Sequence, residues 1–199
     1  SMAPLQALSQ AANPVSVPRA LLNYDAINHP VRGTGGMVVS QNRIATQVGA
    51  DILAKGGNAV DAAVAVGFAL AVTLPRAGNI GGDGFMLVHL ASEDRTHAID
   101  YRSMAPAAAT TAHYVEAEGG NPDDTRYGYR APGVPGTVAG LAHAHKTWGR
   151  LSWAEVVEPA RKLADEGVKL SYDEAFAARW VSNTLKRWEA GTEVFFKPD

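Results

Sequence analysis

The side chain best suited to binding a small ligand is Arg102, which ends a short segment of alternating character. In residues 96–102, Ile99 and Tyr101 share one face of a predicted strand, and Asp100 and Arg102 share the other. An arginine at a strand end can simply pair with a neighbour such as Asp100, and such surface pairs are weak. A guanidinium group is also well matched to a carboxylate ligand, which it can hold through two parallel hydrogen bonds. Both interpretations are open for this residue.

The elements that position Arg102 begin well before it in the chain. The run Met37-Val38-Val39 is bounded by glycine and polar residues and is predicted to form a short buried strand. Residues 44–55 carry apolar side chains at helical spacing, and Gly56-Gly57 allows the left-handed backbone that ends a helix. The sequence therefore predicts one amphipathic helix that stops at this glycine pair.

A second helix is predicted directly after the glycine pair. Asn58 can cap it, and Asp61 three residues later completes a capping box and suits the positive end of the helix dipole. The helix is predicted over residues 59–73, and Pro75 prevents its continuation. Because small or apolar residues lie on all of its sides, we expect this helix to be surrounded by protein.

The glycine-rich loop over residues 78–84 leads from this helix to a predicted hairpin. A Walker loop would end in Gly-Lys-Ser/Thr, which is lacking, and a dinucleotide fingerprint would follow a strand and open a helix. This loop instead feeds the branched apolar run 85–90, so nucleotide binding is not expected and the glycines are interpreted as permitting a tight turn. A polar turn at residues 93–95 joins this run to the strand that contains Arg102.

Composition excludes several classes of function. With 18 Lys and Arg against 20 Asp and Glu, the net charge of -2 provides no field that attracts nucleic acid or an anionic membrane. The absence of cysteine excludes disulfides and thiolate metal sites and fits either redox compartment. The longest apolar and glycine run, residues 62–72, is much shorter than the roughly 20 residues needed to span a bilayer, so no membrane span is predicted.

The second half of the chain is predicted to be mostly helical scaffold. A helix over 136–148 is predicted to be closed by Gly149. Ser152 opens another helix with a capping box, and Pro159 is predicted to kink or restart that helix. Ser171 and Glu174 form a second predicted capping box. The helix that follows is expected to present one apolar face, formed by Ala177, Val181, Leu185 and Trp188.

Two kinds of side chain in this half carry no predicted site. Trp180 and Trp188 are interpreted as packing anchors. His143 and His145 are two residues apart on a helix and point to different sides, whereas metal-binding pairs favour spacings of three or four. No metal site is therefore expected.

Several of these motifs, in the same order and at similar spacing, resemble the large-subunit half of the gamma-glutamyltransferase (glutathione hydrolase) family. The resemblance covers nearly all of residues 29–196. The segments that carry it are His29-Pro30-Val31-Arg32, Thr46-Gln47-Val48-Gly49, residues 56–65, Gly78-Asn79-Ile80-Gly81-Gly82, Met104-Ala105-Pro106 and residues 133–138.

This resemblance implies an α/β fold, namely part of the αββα sandwich of an N-terminal nucleophile hydrolase. In this family a precursor cuts itself into two chains, which form a heterodimer. The N-terminal threonine of the small subunit attacks gamma-glutamyl amides such as glutathione, with its own amine as base, and the acyl group passes to water or an acceptor amine. The arginine that holds the alpha-carboxylate of the glutamyl group corresponds to Arg102. No cofactor is implied, and the implied location is periplasmic or secreted.

Together with the sequence of the first residues, the resemblance also predicts how the chain is divided into segments. Ser1-Met2 is interpreted as a remnant of tag removal, residues 3–28 as a flexible mature N-terminal segment, and residues 29–199 as a truncated N-terminal portion of the large subunit. No Thr-Thr-His start of a small subunit is found. Thr110-Thr111 lies inside the large-subunit pattern and is predicted to be a loop or helix start. No catalytic residue is therefore assigned in this chain, and the fragment alone is expected to be inactive.

Asp83 departs from the family pattern, because much of the family has glycine at this point of the loop. One interpretation is that its carboxylate caps a local turn. The other is a shift of substrate class, since some relatives cleave other acyl amides. Two alternative functions accordingly stay open, a related acylase or amidohydrolase and a non-catalytic binding module.

Overall fold

A computed structural model describes residues 33–77 and 79–196 of the chain, and residues from Gly36 onward form one compact unit. The predictions for residues 1–32, which include the tag remnant, the flexible segment and the motif at His29, lie outside the described residues.

The first two helices confirm the predictions from their caps. Helix α1 spans Arg43–Ala54, with the Asn42 side chain accepting hydrogen bonds from two backbone N–H groups of its first turn. Helix α2 spans Ala59–Thr73 and begins with the predicted capping box of Asn58 and Asp61. The two helices pack against each other and are separated only by the turn containing Gly56, whose φ of 94° favours glycine.

Helix α2 is the centre of the core, as its all-round apolar character predicts. Val64, Ala65 and Ala69 are fully buried, and α1 and two later helices cover its sides. None of the helices within residues 33–77 and 79–196 is long and apolar enough to cross a membrane.

The carboxylate of Asp61 is fully buried at the start of this core helix. It accepts hydrogen bonds from the backbone N–H groups of Asn58 at 2.9 Å and Arg150 at 3.0 Å, with Leu151 at 3.4 Å. Asn58 in turn donates from its side chain to the carbonyl of Trp148 at 2.6 Å. The capping box therefore also fastens the loop after residue 148 to the start of α2.

Two antiparallel strands form the hairpin predicted before Arg102. Strand β1 spans Phe85–Leu90 and β2 spans Arg95–Asp100, with Phe85 opposite Asp100 and Leu90 opposite Arg95. In the turn between them, Asp94 adopts a left-handed backbone with φ of 47°. The inner face of the hairpin packs Met86, Val88 and Ile99 against the helical core.

After β2 the chain makes a long excursion and returns beside the hairpin. The excursion contains three short 3-10 turns, Thr111–His113, Glu116–Glu118 and Pro122–Thr125. Thr110 and Thr111 stand at the start of the first turn, as predicted. The return is marked by an isolated antiparallel bridge between Met104 and Val134.

Two further helices follow this return as predicted. Helix α3 spans Thr137–Trp148 and is closed by Gly149. Helix α4 spans Trp153–Glu166 and begins with the capping box of Ser152 and Glu155. Pro159 lies inside α4 and does not restart it.

The predicted strand at Met37-Val38-Val39 is wrong. The segment is irregular, Met37 and Val39 are exposed, and only Val38 packs against the core. Within the described residues the one sheet consists of β1 and β2, so this apolar run has no ladder to join. Partial burial of one side chain in three does not require a strand.

The prediction of one long helix after Ser171 is also wrong. The chain forms three shorter helices, α5 (Tyr172–Trp180), α6 (Ser182–Leu185) and α7 (Glu189–Phe195). Ser171 caps the first through the N–H of Glu174, but the Glu174 carboxylate does not complete the box. It pairs instead with Arg76, just beyond the end of α2. For this carboxylate a charged guanidinium is a stronger hydrogen-bond donor than the backbone N–H of Ser171 would be.

The two tryptophans of this region behave differently. Trp180 is 83% exposed and is not a packing anchor within the described residues. Trp188 is 38% exposed, and its ring centroid lies 6.5 Å from that of Tyr127.

The Asp61 network predicts a large effect on stability. Asp61→Ala leaves several buried N–H groups without an acceptor, so we expect the free energy of unfolding to fall by about 3 to 5 kcal/mol. Asp51→Ala, which removes an exposed carboxylate of α1 hydrogen-bonded only to Gln47 among the described residues, is the control and should cost less than about 1 kcal/mol. Urea unfolding of both variants measures the difference, and equal losses would contradict the structural role of Asp61.

Candidate functional site

The register of the hairpin brings Asp83 to Arg102. Phe85 lies opposite Asp100, and the ladder continues one step further because the N–H of Tyr101 donates to the carbonyl of Gly84 at 3.1 Å. The next pair in this register is Asp83 and Arg102. Residues directly opposite each other on antiparallel strands point to the same side, so the two charged side chains meet.

Three donors hold the Asp83 carboxylate. Its Oδ1 atom accepts from Nη1 of Arg102 at 2.7 Å. Its Oδ2 atom accepts from the backbone N–H of Ser103 at 3.1 Å and from the Ser103 hydroxyl. These hydrogen bonds, first those from Ser103 and then the nearby Arg102 charge, lower the pKa of the Asp83 carboxyl from its usual range. The group is therefore an anion at neutral pH.

The backbone on both sides of Asp83 is also fixed. The carbonyl of Gly82 accepts from the N–H groups of Gly136 at 3.0 Å and Thr137 at 3.1 Å, and that of Gly84 accepts from Tyr101. The glycine-rich loop thus joins the hairpin to the start of α3. At Gly84 the lack of a side chain permits a close approach, because a Cβ atom there would lie 2.9 Å from the Tyr101 ring.

Gly136 and Gly140 at the start of α3 make room for the segment that carries Arg102. A Cβ atom at Gly136 would lie 1.9 Å from the Tyr101 carbonyl oxygen, and one at Gly140 would lie 2.2 Å from the Tyr101 ring. The phenol hydroxyl of this tyrosine donates to the carbonyl of Phe85 at 3.4 Å. Burial raises the pKa of the Tyr101 phenol, and the nearby Asp83 charge raises it further, so this group stays neutral.

Arg102 is one of the residues that line an open cleft of about 760 Å³, whose walls also include Ser103 and His143. Its side chain is 64% exposed. Within the described residues only Nη1 has a hydrogen-bond acceptor, so the edge formed by Nε and Nη2 is free. This is the edge that can bind a carboxylate through two parallel hydrogen bonds.

His145, by contrast, belongs to the core, where its Nε2 atom lies 2.9 Å from the carbonyl of Leu151 and 3.7 Å from Asp61. In the part of the chain that the structure describes, no group of three or more His, Cys, Asp or Glu residues is placed to hold a metal ion.

Sequence reasoning placed Arg102 at the end of the hairpin but missed its partner. Among the described residues, the side chain of the candidate partner Asp100 accepts only from the backbone N–H of Arg102, at 2.9 Å, and the guanidinium pairs with Asp83. The local turn cap considered for Asp83 is wrong, because its partners lie 19 and 20 residues further along the chain. Extending the hairpin pairing by two residues beyond Phe85 and Asp100 places Asp83 opposite Arg102.

Comparison with known proteins decides the family. The sequence model described as Gamma-glutamyltranspeptidase matches residues 45–199.

The chain belongs to the gamma-glutamyltranspeptidase family.

Individual relatives agree with this assignment. The chain is 50% identical over 194 residues to the "Glutathione hydrolase proenzyme" of Escherichia coli strain K12, a match that covers 95% of this chain and 33% of that protein. Among solved structures, the gamma-glutamyltranspeptidase of Helicobacter pylori is 39% identical with a TM-score of 0.80, over 84% of this chain and 48% of that one. The gamma-glutamyltranspeptidase of Pseudomonas nitroreducens, solved in complex with L-DON, is 39% identical with a TM-score of 0.75, over 84% of this chain and 50% of that one.

These matches confirm the predicted fold class. The gamma-glutamyltranspeptidase neighbours have the N-terminal nucleophile hydrolase fold, and the mixture of helices with one hairpin is a partial α/β portion of it. The chain spans about a third of the length of the curated gamma-glutamyltranspeptidase relatives that it matches.

The glycine at the start of α3 provides a test of how this portion positions Arg102. Gly136→Ala places a methyl carbon 1.9 Å from the Tyr101 carbonyl oxygen. We therefore expect the hairpin end to shift and the free energy of unfolding to fall by about 2 to 3 kcal/mol. Gly35→Ala is the control, because its added methyl group would meet no described atom within 4 Å. Thermal unfolding compares the two, and equal melting temperatures would contradict the close approach.

Proposed function

We propose that the full-length protein that contains this chain hydrolyses gamma-glutamyl amides such as glutathione and transfers the glutamyl group to water or to amino acids and peptides. The family assignment supports this proposal, and so does the glutathione hydrolase name of the Escherichia coli relative. The single observation that carries it is that Arg102, whose Nε and Nη2 atoms have no acceptor among the described residues, lines an open cleft.

In this proposal Arg102 binds the alpha-carboxylate of the glutamyl group. The guanidinium already uses Nη1 to hold Asp83, so its orientation is set before substrate arrives. A preorganised fork loses less side-chain freedom on binding than a mobile one. The cleft is within the size range of small-molecule sites, which is about 300 to 1,000 Å³.

The nucleophile in this proposal is the N-terminal threonine of a small subunit made from the same precursor. The threonine amine takes the hydroxyl proton, the oxygen attacks the gamma-carbonyl, and the amine of the leaving group departs after receiving a proton. Water or an acceptor amine then releases the glutamyl group from the ester. Thr110 and Thr111 take no part, because the first caps a 3-10 turn and the second donates to Glu118 at 3.2 Å.

Two other functions are less well supported. A related acylase of the same superfamily is not favoured, because the relatives reported above carry glutathione hydrolase and gamma-glutamyltranspeptidase names. A binding module without a nucleophile chain is also not favoured, because the Escherichia coli relative is named as a proenzyme and a binding module would not be one.

We also propose a periplasmic or secreted location. It is supported by the family assignment.

Removal of Arg102 tests the proposed anchor. In the full-length protein we expect Arg102→Ala to lower kcat/KM for gamma-glutamyl-p-nitroanilide by about 100-fold, which corresponds to about 3 kcal/mol for a truncated charge pair. Arg102→Lys should recover only part of the loss, because lysine cannot supply two parallel donors. Steady-state kinetics with this anilide measures both effects.

Arg161→Ala is the matched control for this experiment. Arg161 is also an exposed arginine paired with a carboxylate, at 2.7 Å from Glu158, but it lies on α4 away from the cleft. We expect its kcat/KM to stay within about twofold of wild type. An Arg102→Ala enzyme with unchanged kcat/KM would contradict the proposal that Arg102 binds the alpha-carboxylate.

A second test addresses the nucleophile chain. We expect the purified native protein to contain two polypeptides, the smaller of which begins with threonine. Intact mass measurement and N-terminal sequencing provide the result. A single uncut polypeptide without activity on gamma-glutamyl-p-nitroanilide would favour the binding module instead.

A further inference from the structure

We propose, on the basis of the proposed function, that Asp83 is a specificity-determining residue. By pairing with Arg102 it makes the carboxylate anchor electrically neutral. The site then favours an acyl head group that carries both a carboxylate and an ammonium, as in glutamyl, over one that carries only a carboxylate, as in glutaryl.

Asp83 is a fixed charge. Ordinary surface pairs hold two mobile side chains and contribute little. Here Oδ2 is fastened by the backbone N–H and the hydroxyl of Ser103, and the carbonyls on both sides of Asp83 are hydrogen-bonded to other segments. The carboxylate therefore stays beside the guanidinium whether or not a ligand is bound.

Asp83 is also shielded from solvent and ionised. The Asp83 side chain is only 19% exposed, whereas that of Arg102 is 64% exposed. Solvent therefore screens the Asp83 carboxylate less than it screens the exposed Arg102 guanidinium. Its lowered pKa keeps the carboxyl ionised at the neutral pH at which the enzyme would be assayed.

The guanidinium of Arg102 would lie between two negative charges. Asp83 occupies Nη1, and a substrate carboxylate would occupy Nε and Nη2. The two carboxylates then lie on different sides of one guanidinium, with centres roughly 6 to 7 Å apart. At effective dielectric constants of about 30 to 80, Coulomb repulsion at this distance weakens binding of an anion roughly 3- to 20-fold.

An alpha-ammonium group changes this balance. In a glutamyl head group it is attached one carbon from the carboxylate, so its attraction to Asp83 offsets most of the repulsion. A glutaryl group has the same chain length and the same carboxylate but lacks the ammonium, so the repulsion is not offset. Asp83 thus discriminates by charge without any requirement to touch the substrate.

This charge effect can be separated from mere positioning of Arg102. A role in orientation alone would change the binding of both head groups by the same factor, because both use the same carboxylate. The ratio of kcat/KM for gamma-glutamyl-p-nitroanilide to that for glutaryl-p-nitroanilide cancels this common factor. A change in the ratio reports the charge of Asp83.

The experiment measures this ratio in the full-length enzyme for wild type, Asp83→Asn, Asp83→Glu and Asp51→Asn. We expect Asp83→Asn to lower the ratio roughly 3- to 20-fold, mainly through a lower KM for the glutaryl substrate. Asp83→Glu keeps the charge and should keep the ratio within about twofold. Asp51→Asn removes the same charge from the surface of α1 and should also leave the ratio within about twofold.

Salt provides a second measurement that needs no variant. Raising the salt from about 0.05 M to 0.5 M shortens the Debye length from about 14 to 4 Å, so the wild-type ratio should fall toward that of Asp83→Asn. If Asp83→Asn does not fold, this measurement decides the question alone, and a ratio that is independent of salt overturns the proposal.

The outcomes distinguish this proposal from the function on which it rests. If Arg102→Ala lowers kcat/KM but Asp83→Asn leaves the ratio unchanged, or Asp83→Glu changes it as much as Asp83→Asn does, the role of Asp83 is wrong and the proposed function stands. If wild type cleaves neither anilide, or Arg102→Ala has no effect, the proposed function itself is wrong.

Discussion

The register of one hairpin is the constraint on which the candidate site depends. Side chains alternate between faces along a strand, so a slip of a single residue would turn Arg102 away from Asp83. The register is secured at both ends, by the turn at Asp94 and by the bond from Tyr101 to Gly84. Packing of Val88 and Ile99 against the helical core adds the requirement that the apolar face point inward.

The sequence predicted the elements that have strong local signals. Asn58 with Asp61, Ser152 with Glu155 and the glycine pair at 56–57 each act over three or four residues, and the helices begin or end where they indicate. The sequence pattern gave a wrong prediction where the interacting partner is distant in the sequence. Glu174 had the spacing of a capping box, yet its carboxylate turns to Arg76, which is 98 residues away in the sequence.

In the candidate site, too, one residue could be predicted from local sequence and its partner could not. Arg102 could be identified because it ends a strand of clear alternation, and its role follows from the chemistry of guanidinium groups. Asp83 lies in a loop where spacing has no period, so its side chain could not be placed without the hairpin register. The short apolar run at Met37 failed for a related reason, since a strand requires a neighbour that local sequence does not specify.

The close approach of Gly136 to Gly82 has a consequence for how the site forms during folding. The hairpin closes a short turn, so Asp83 and Arg102 can meet early through contacts that are local in the sequence. The bonds from Gly136 and Thr137 to Gly82 must instead close a loop that includes the whole excursion of 3-10 turns. We therefore expect the charged pair to form through local contacts, and the bonds that fix Gly82 to form only when the longer loop closes at a larger cost in chain entropy.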